Sequence, residues 1–262
     1  MPRILLLTAV SIAAAVALPS VAQGATVYQE GRPASGLLVQ ADPGETNLVS
    51  VKGSMFLEIR DDGTPLKLSG GATKCKRLDA HAVRCKPLHR LDLDLQDGPD
   101  VAVIDTPHAV EIEGGNGPDR YVAAATGTPS RVDFDGGIGF DVANYGFATT
   151  GVNVSLDMPD GDGRPGDDDH IRRDVEAVLG SSFDDVLEGS RYAQHLSGGD
   201  GDDQITGGAG EDLLSGGPGN DRIDARDGEA DTVDCGGWLL DWAAVDVGID
   251  GPITGCAEVV GS

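Results

Sequence analysis

The 262-residue chain carries 44 acidic against 19 basic residues, a formal net charge of −25, with 39 Gly and 14 Pro. Phosphate and anionic-lipid surfaces call for clustered Lys and Arg, so this balance excludes nucleic acid and acidic membranes as partners and favours cations. Leu, Ile, Val and Phe fill 63 positions, enough for a packed core and against wholesale disorder, while aromatics at 4% argue against a thick aromatic one.

Residues 1–22 have Arg3, an apolar run from Ile4 to Leu18, and small residues at Ser20 and Ala22, the pattern of a secretory signal peptide. The run is short for a membrane span and no second one follows. The expectation is cleavage near Ala22, no membrane insertion, and a secreted chain starting near Gln23. Four Cys in an exported chain point to disulfides, with three pairings possible. Cys75–Cys85 and Cys235–Cys256 are expected, because each pair is close in sequence and one lies at either end of the repetitive region. Thiolate metal binding is the weaker alternative, as no CxxC spacing occurs.

Charge divides the rest. Residues 23–95 hold ten basic and nine acidic residues, whereas 96–262 hold eight Arg, no Lys and 35 acids. In the first part LLVQ, NLVSVKG, MFLEIRDDG, PLKLSG and LDLDLQ alternate apolar and polar residues between Gly, Pro and Asp-Gly turns, the pattern of short strands.

The second part repeats every nine residues. Residues 198–224 read GGDGDDQIT, GGAGEDLLS and GGPGNDRID: Gly at positions one, two and four, Asp at six (Asp203, Asp212, Asp221), and a large aliphatic at eight (Ile205, Leu214, Ile223). GSSFDDVLE extends the frame backwards with Asp185 and Leu187. GSRYAQHLS keeps Leu196 but has Gln194 in place of Asp. ARDGEADTVD extends it forwards with one extra residue, bringing Asp231 and Val233 into the roles. Earlier copies are GGNGPDRYV with Asp119, GGIGFDVAN with Asp141, and a degraded LQDGPDVAV with Asp100. A flexible Gly-Asp linker has no need of an aliphatic at this period. A short strand can point that aliphatic inward, and the Gly-rich stretch can turn tightly because Gly tolerates positive φ. Such turns aim carbonyl oxygens at a common centre. With an Asp added, the site is hard and oxygen-only, which suits Ca2+ better than Mg2+ or Zn2+.

These nonamers resemble the repeats-in-toxin, or haemolysin-type, calcium-binding repeat family. The resemblance implies an all-β fold: a parallel β-roll, or β-solenoid, in which each nonamer makes half a turn and Ca2+ sits between stacked turns. Residues 18 apart would then stack, Asp185, Asp203 and Asp221 on one side, Gln194, Asp212 and Asp231 on the other. The implied metal set is Asp119, Asp141, Asp185, Asp203, Asp212, Asp221 and Asp231, with Gly198, Asp200, Gly207 and Gly216. The expected organisation is a small N-terminal β cap (23–95), degenerate repeats with an insertion (96–179), the roll (180–234) and a C-terminal cap (235–262), with disulfides closing both ends. Caps cover strand edges that an open solenoid would expose.

Other signals are weaker. Residues 160–170, DGDGRPGDDDH, hold five Asp and read either as a second kind of Ca2+ loop or as a solvated acidic loop; Arg164 breaks the EF-hand pattern. No HExxH or GxSxG occurs. Trp238 and Trp242 read as cap packing or, less readily, as a sugar platform. The expected function is a secreted, non-enzymatic Ca2+-binding structural or surface protein, with a cell-surface or cell-wall partner in prospect. The alternative is a secreted Ca2+-dependent hydrolase or polysaccharide-modifying enzyme with an unrecognised site.

Overall fold

A computed structural model describes residues 25–29, 37–68, 74–86, 90–125, 131–158 and 161–261. The expected signal peptide and Asp160 lie outside the described residues. No helix occurs among the described residues; the chain forms three sheets of seven, twelve and six strands. The twelve-stranded sheet runs the length of the molecule. Its parallel part comprises Leu48–Lys52, Val101–Asp105, Arg120–Ala123, Val142–Asn144, Ala177–Leu179, His195–Ser197, Leu213–Ser215, Thr232–Asp234 and Ile253–Thr254. The seven-stranded sheet pairs with it in the first half, through Leu37–Gln40, Arg90–Asp94, Ala109–Glu113, Arg131–Asp135 and His170–Ile171. The six-stranded sheet takes over in the second half, through Asn153–Ser155, Val186–Glu188, Gln204–Thr206, Arg222–Ala225, Trp242–Val245 and Glu258–Gly261. Successive strands alternate between facing sheets. This is the expected parallel β-roll.

Strand length sets the width of the roll. In the second half the nine-residue period leaves three residues in most strands of the repeats, of which only the middle one points inward. Leu187, Ile205 and Ile223 stack in one sheet and Leu196, Leu214 and Val233 in the other, all at most 1% exposed. In the first half the strands of five residues bury two alternate positions each: Leu91 and Leu93, Val110 and Ile112, Val132 and Phe134. Each fully buried aliphatic contributes about 1.5–3 kcal/mol, so the first half has roughly twice the apolar stabilisation per strand.

The step from wide to narrow coil falls at the insertion. Tyr121, Phe134 and Tyr145 fill the wide end, with Tyr121 and Tyr145 edge-to-face at 5.8 Å. Both tyrosine hydroxyls donate to Asp169 Oδ2 (3.3 and 3.1 Å), and Val132 N–H donates to Oδ1 (2.8 Å). Asp162 accepts Ser155 N–H and Ile171 N–H, both at 2.8 Å, and Arg164 pairs with Asp167 at 2.8 Å in a buried position. The described part of the acidic stretch is therefore a polar plug. Asp162 and Asp169 spend their oxygens on protein donors, which fits neither the Ca2+-loop reading nor the solvated-loop reading; Asp168 alone stays exposed beside Arg131.

Coiling begins earlier than the change of charge at residue 96 suggests. Leu37–Gln40 and Leu48–Lys52 already pair in parallel with the next coil. What precedes that coil in space is antiparallel to it: Leu57–Asp61, Ala82–Cys85 and Cys75–Arg77 extend the twelve-stranded sheet, and Thr26–Gln29 extends the seven-stranded one. Charge reports where the acidic turns begin, whereas strand alternation alone suffices to start a coil. Both expected disulfides are present, Cys75–Cys85 across two paired strands and Cys235–Cys256 at the far end. The second closes a loop of 21 residues, so Cys256→Ser is expected to lower stability by about 3 kcal/mol, measurable as a lower urea midpoint. Trp238 and Trp242 do not form a joint platform: Trp242 lies under the Arg222 guanidinium at 4.2 Å, and Trp238 is exposed on its turn.

Candidate metal centre

The glycine-rich turns stack into two seams, one along each edge of the roll. One repeat shows why the glycines are needed. Gly199 and Gly201 adopt φ of +112° and +130°, and a Cβ on either would run into the backbone of the preceding coil. Gly198 is needed for a different reason, because the Asp203 Oδ2 atom occupies the place its Cβ would take. Gly207 and Gly216 stand in the same relation to Asp212 and Asp221.

In each seam the position-six residues form a ladder. The backbone N–H of one donates to the side-chain oxygen of its counterpart one coil on. In the second seam this runs Asp185 to Asp203 (2.8 Å), Asp203 to Asp221 (2.9 Å) and Asp221 to Asp241 (3.0 Å). In the first seam it runs Asn47 to Asp100, Asp100 to Asp119, Asp119 to Asp141 and Asp141 to Glu176, at 2.5–2.9 Å, and resumes from Gln194 to Asp212, Asp231 and Asp250 at 2.7–3.1 Å. The 18-residue stacking that the resemblance implies is thus the stacking observed. Asp231 lies directly over Asp212 despite the extra residue in its turn, which the turn absorbs.

Each ladder carboxylate has a second oxygen, and its fate separates the turns. Asp100, Asp119, Asp141, Asp203, Asp212, Asp221 and Asp231 are at most 2% exposed, and the Oδ2 of each meets no protein donor. Burial without a counter-charge pushes Asp203 and Asp212 up to about 7 and Asp221 and Asp231 up to about 6, from an ordinary 3.8. In the first half it pushes Asp119 up to about 8, and Asp100 and Asp141 to about 6. Leaving such an atom unmatched is costly, so these oxygens are suited to a cation.

Turns with Ser at position two behave otherwise. Ser181 N–H donates to Asp185 Oδ2 (2.5 Å) and its hydroxyl to Oδ1 (2.8 Å), so Asp185 is matched within its own turn. Ser190 does the same for Gln194, giving its N–H to Oε1 and accepting from Nε2, both at 2.9 Å. Asp200, at position three, is exposed and stands outside the ladder. Asn47, Asp100, Glu176, Asp241 and Asp250 are ladder members absent from the expected set. Asp241 follows the CGG that opens the next turn, a signal in the sequence; Glu176 sits in a turn without glycine, where no repeat pattern marks it.

Among the described residues no three His, Cys, Asp or Glu side chains are grouped to hold a metal. A cation in a seam would therefore draw on one or two carboxylate oxygens and complete its shell from turn carbonyls and water, a hard oxygen set that suits Ca2+. A family model described as the RTX calcium-binding nonapeptide repeat (4 copies) matches residues 179–214 and 197–229, the segment holding Asp185, Asp203, Asp212 and Asp221. No curated protein matches the chain. Residues 179–229 are thus RTX calcium-binding nonapeptide repeats, and the roll they build is a Ca2+-binding β-roll.

Proposed function

We propose that this is a secreted, non-enzymatic structural module whose roll is closed and stiffened by Ca2+ held along both seams. In the repeats, Asp203 and Asp221 hold ions in one seam and Asp212 and Asp231 in the other, with Asp119 and Asp141 extending the first seam toward the N-terminus. The observation that carries this reading is the row of buried carboxylate oxygens without a protein partner, those of Asp119, Asp141, Asp203, Asp212 and Asp221 each lying over a position-one glycine. Secretion is supported by the N-terminal sequence pattern and by two disulfides, which persist in oxidising compartments. A non-enzymatic role is supported by the commitment of the ladder carboxylates to backbone amides in buried positions, where no substrate reaches them. A surface or cell-wall partner accords with such a spacer.

The test is a Ca2+ titration of the metal-stripped chain and two variants. Asp203→Asn keeps the oxygen that accepts Asp185 N–H and removes the unmatched charge. The metal-free fold is expected to gain about 1–3 kcal/mol while Ca2+ binding in that seam is lost. Asp185→Asn, whose oxygens already have donors, is expected to change Ca2+ binding far less. An Asp203→Asn protein with the wild-type number of bound ions would refute the ligand assignment. Turnover by the wild-type chain on a panel of ester, peptide and glycan substrates would refute the non-enzymatic role.

A further inference from the structure

The two ends of the roll are finished differently. At the N-terminal end antiparallel strands close the core, with Leu57, Ile59 and Val83 at most 2% exposed. The edge strand there, Cys75–Arg77, presents Lys76 and Arg77, charges of the kind that keep a free edge from pairing. At the other end, among the described residues, Glu258–Gly261 is the edge of the six-stranded sheet and Ile253–Thr254 the edge of the twelve-stranded one. Val259 continues the inward column of Ile205, Ile223 and Ala243, which are at most 1% exposed, yet is itself 47% exposed. Leu239, Leu240, Val247 and Val260 of the same coil are 42–90% exposed. The core is therefore open at this end, and the apolar patch around it has no charge on its edge strand except Glu258.

Three carboxylates of the last coil are turned back into it. Asp241 accepts Asp221 N–H and Trp238 N–H, at 3.0 and 2.6 Å. Asp250 accepts Asp231 N–H and Asp246 N–H, at 3.1 and 2.6 Å. Asp246 accepts the amides of Asp227 and Gly228. In a strongly acidic chain this end thus shows apolar side chains and free backbone. Glu258 N–H donates to the Asp241 carbonyl at 3.0 Å, so alternation along the strand turns the N–H and C=O of Val259 and Gly261 to the open side.

We propose that this end docks a second copy of the chain, the two Glu258–Gly261 strands pairing antiparallel about a two-fold axis that passes through Val259 perpendicular to both sheets. In that register the Val259 N–H of each copy meets the Val259 carbonyl of the other, and Val259 faces its counterpart in a continuous core. Glu258 falls opposite Val260 of the other copy, so no like charges meet directly. The same axis brings Ile253–Thr254 to its own counterpart, so both open edges close in one interface. A head-to-tail contact lacks this fit, because the N-terminal end offers a closed core and a basic edge. The test is light scattering on the full chain in millimolar Ca2+, from micromolar to submillimolar protein. Wild type is expected to pass from monomer to dimer. Val259→Lys, which sets two charges on the axis, is expected to stay monomeric with the wild-type urea midpoint. Val260→Glu places a like charge opposite Glu258 and is expected to raise the dimer dissociation constant about fivefold; adding Glu258→Lys is expected to restore it. Amide exchange on the unmodified chain needs no variant: the Val259 and Gly261 amides should slow as protein concentration rises. A wild-type chain that stays monomeric, one that grows past the dimer into longer assemblies, or a dimer undisturbed by Val259→Lys overturns the proposal.

Discussion

Metal-stripped protein is expected to lose protection across residues 180–234 while residues 37–135 keep theirs, and millimolar Ca2+ should restore the lost part. The five-residue strands of the first half bury two side chains each and the three-residue strands of the repeats one, so the repeats have less apolar burial to offset the ordering of their turns. They also hold Asp203, Asp212, Asp221 and Asp231 buried with an unmatched oxygen each. A ligand at a hundredfold its dissociation constant adds about 2.7 kcal/mol per site, so one ion in each seam contributes about 5 kcal/mol. That is comparable with the whole stability of many domains, and in a chain of this size it corresponds to a rise in Tm of about 10–20 °C. Mg2+ should do far less, because its tight octahedral shell fits turn carbonyls poorly. Circular dichroism melts and amide exchange in chelator, Ca2+ and Mg2+ decide the matter. Equal responses to the two divalent ions would remove the argument for a calcium seam.

The pH dependence should change sign with metal. In the metal-free fold the seam carboxylates titrate at about 6 to 7 rather than 3.8, because burial disfavours their charged form. The folded state then holds more protons than the unfolded state between pH 4 and 7. Stability from these groups is present below pH 4 and is lost as pH rises through 6 to 7, by several kcal/mol in sum. Metal-free protein should therefore melt higher at pH 5 than at pH 8. Ca2+ needs the deprotonated form, so its binding releases protons and strengthens over the same window. Ca2+-loaded protein should melt higher at pH 8 than at pH 5. Parallel pH profiles with and without Ca2+ would show that these carboxylates are not where the ion binds.

Much of this was legible in the nine-residue period. Gly at positions one, two and four, Asp at six and an aliphatic at eight specify a tight turn, a carboxylate and an inward side chain, all through local backbone geometry. The strands and the buried Leu187, Leu196, Ile205, Leu214, Ile223 and Val233 follow from it, while the two seams and the stacking of Asp203 on Asp185 and Asp221 follow from the family resemblance that the period carries. The disulfides follow from proximity in the chain.

What the tertiary structure decided is which polar atoms are matched. Asp185 and Asp203 occupy the same position in their repeats, yet Ser181 matches one while the other keeps an unpaired oxygen. Glu176 joins a ladder that no motif announces, and Asp169 becomes a partner of two tyrosines 24 and 48 residues away. The physical reason is range. A turn is specified by its own residues, whereas the partner of a buried oxygen is supplied by whichever chain packs over it, here often a full coil or an insertion away.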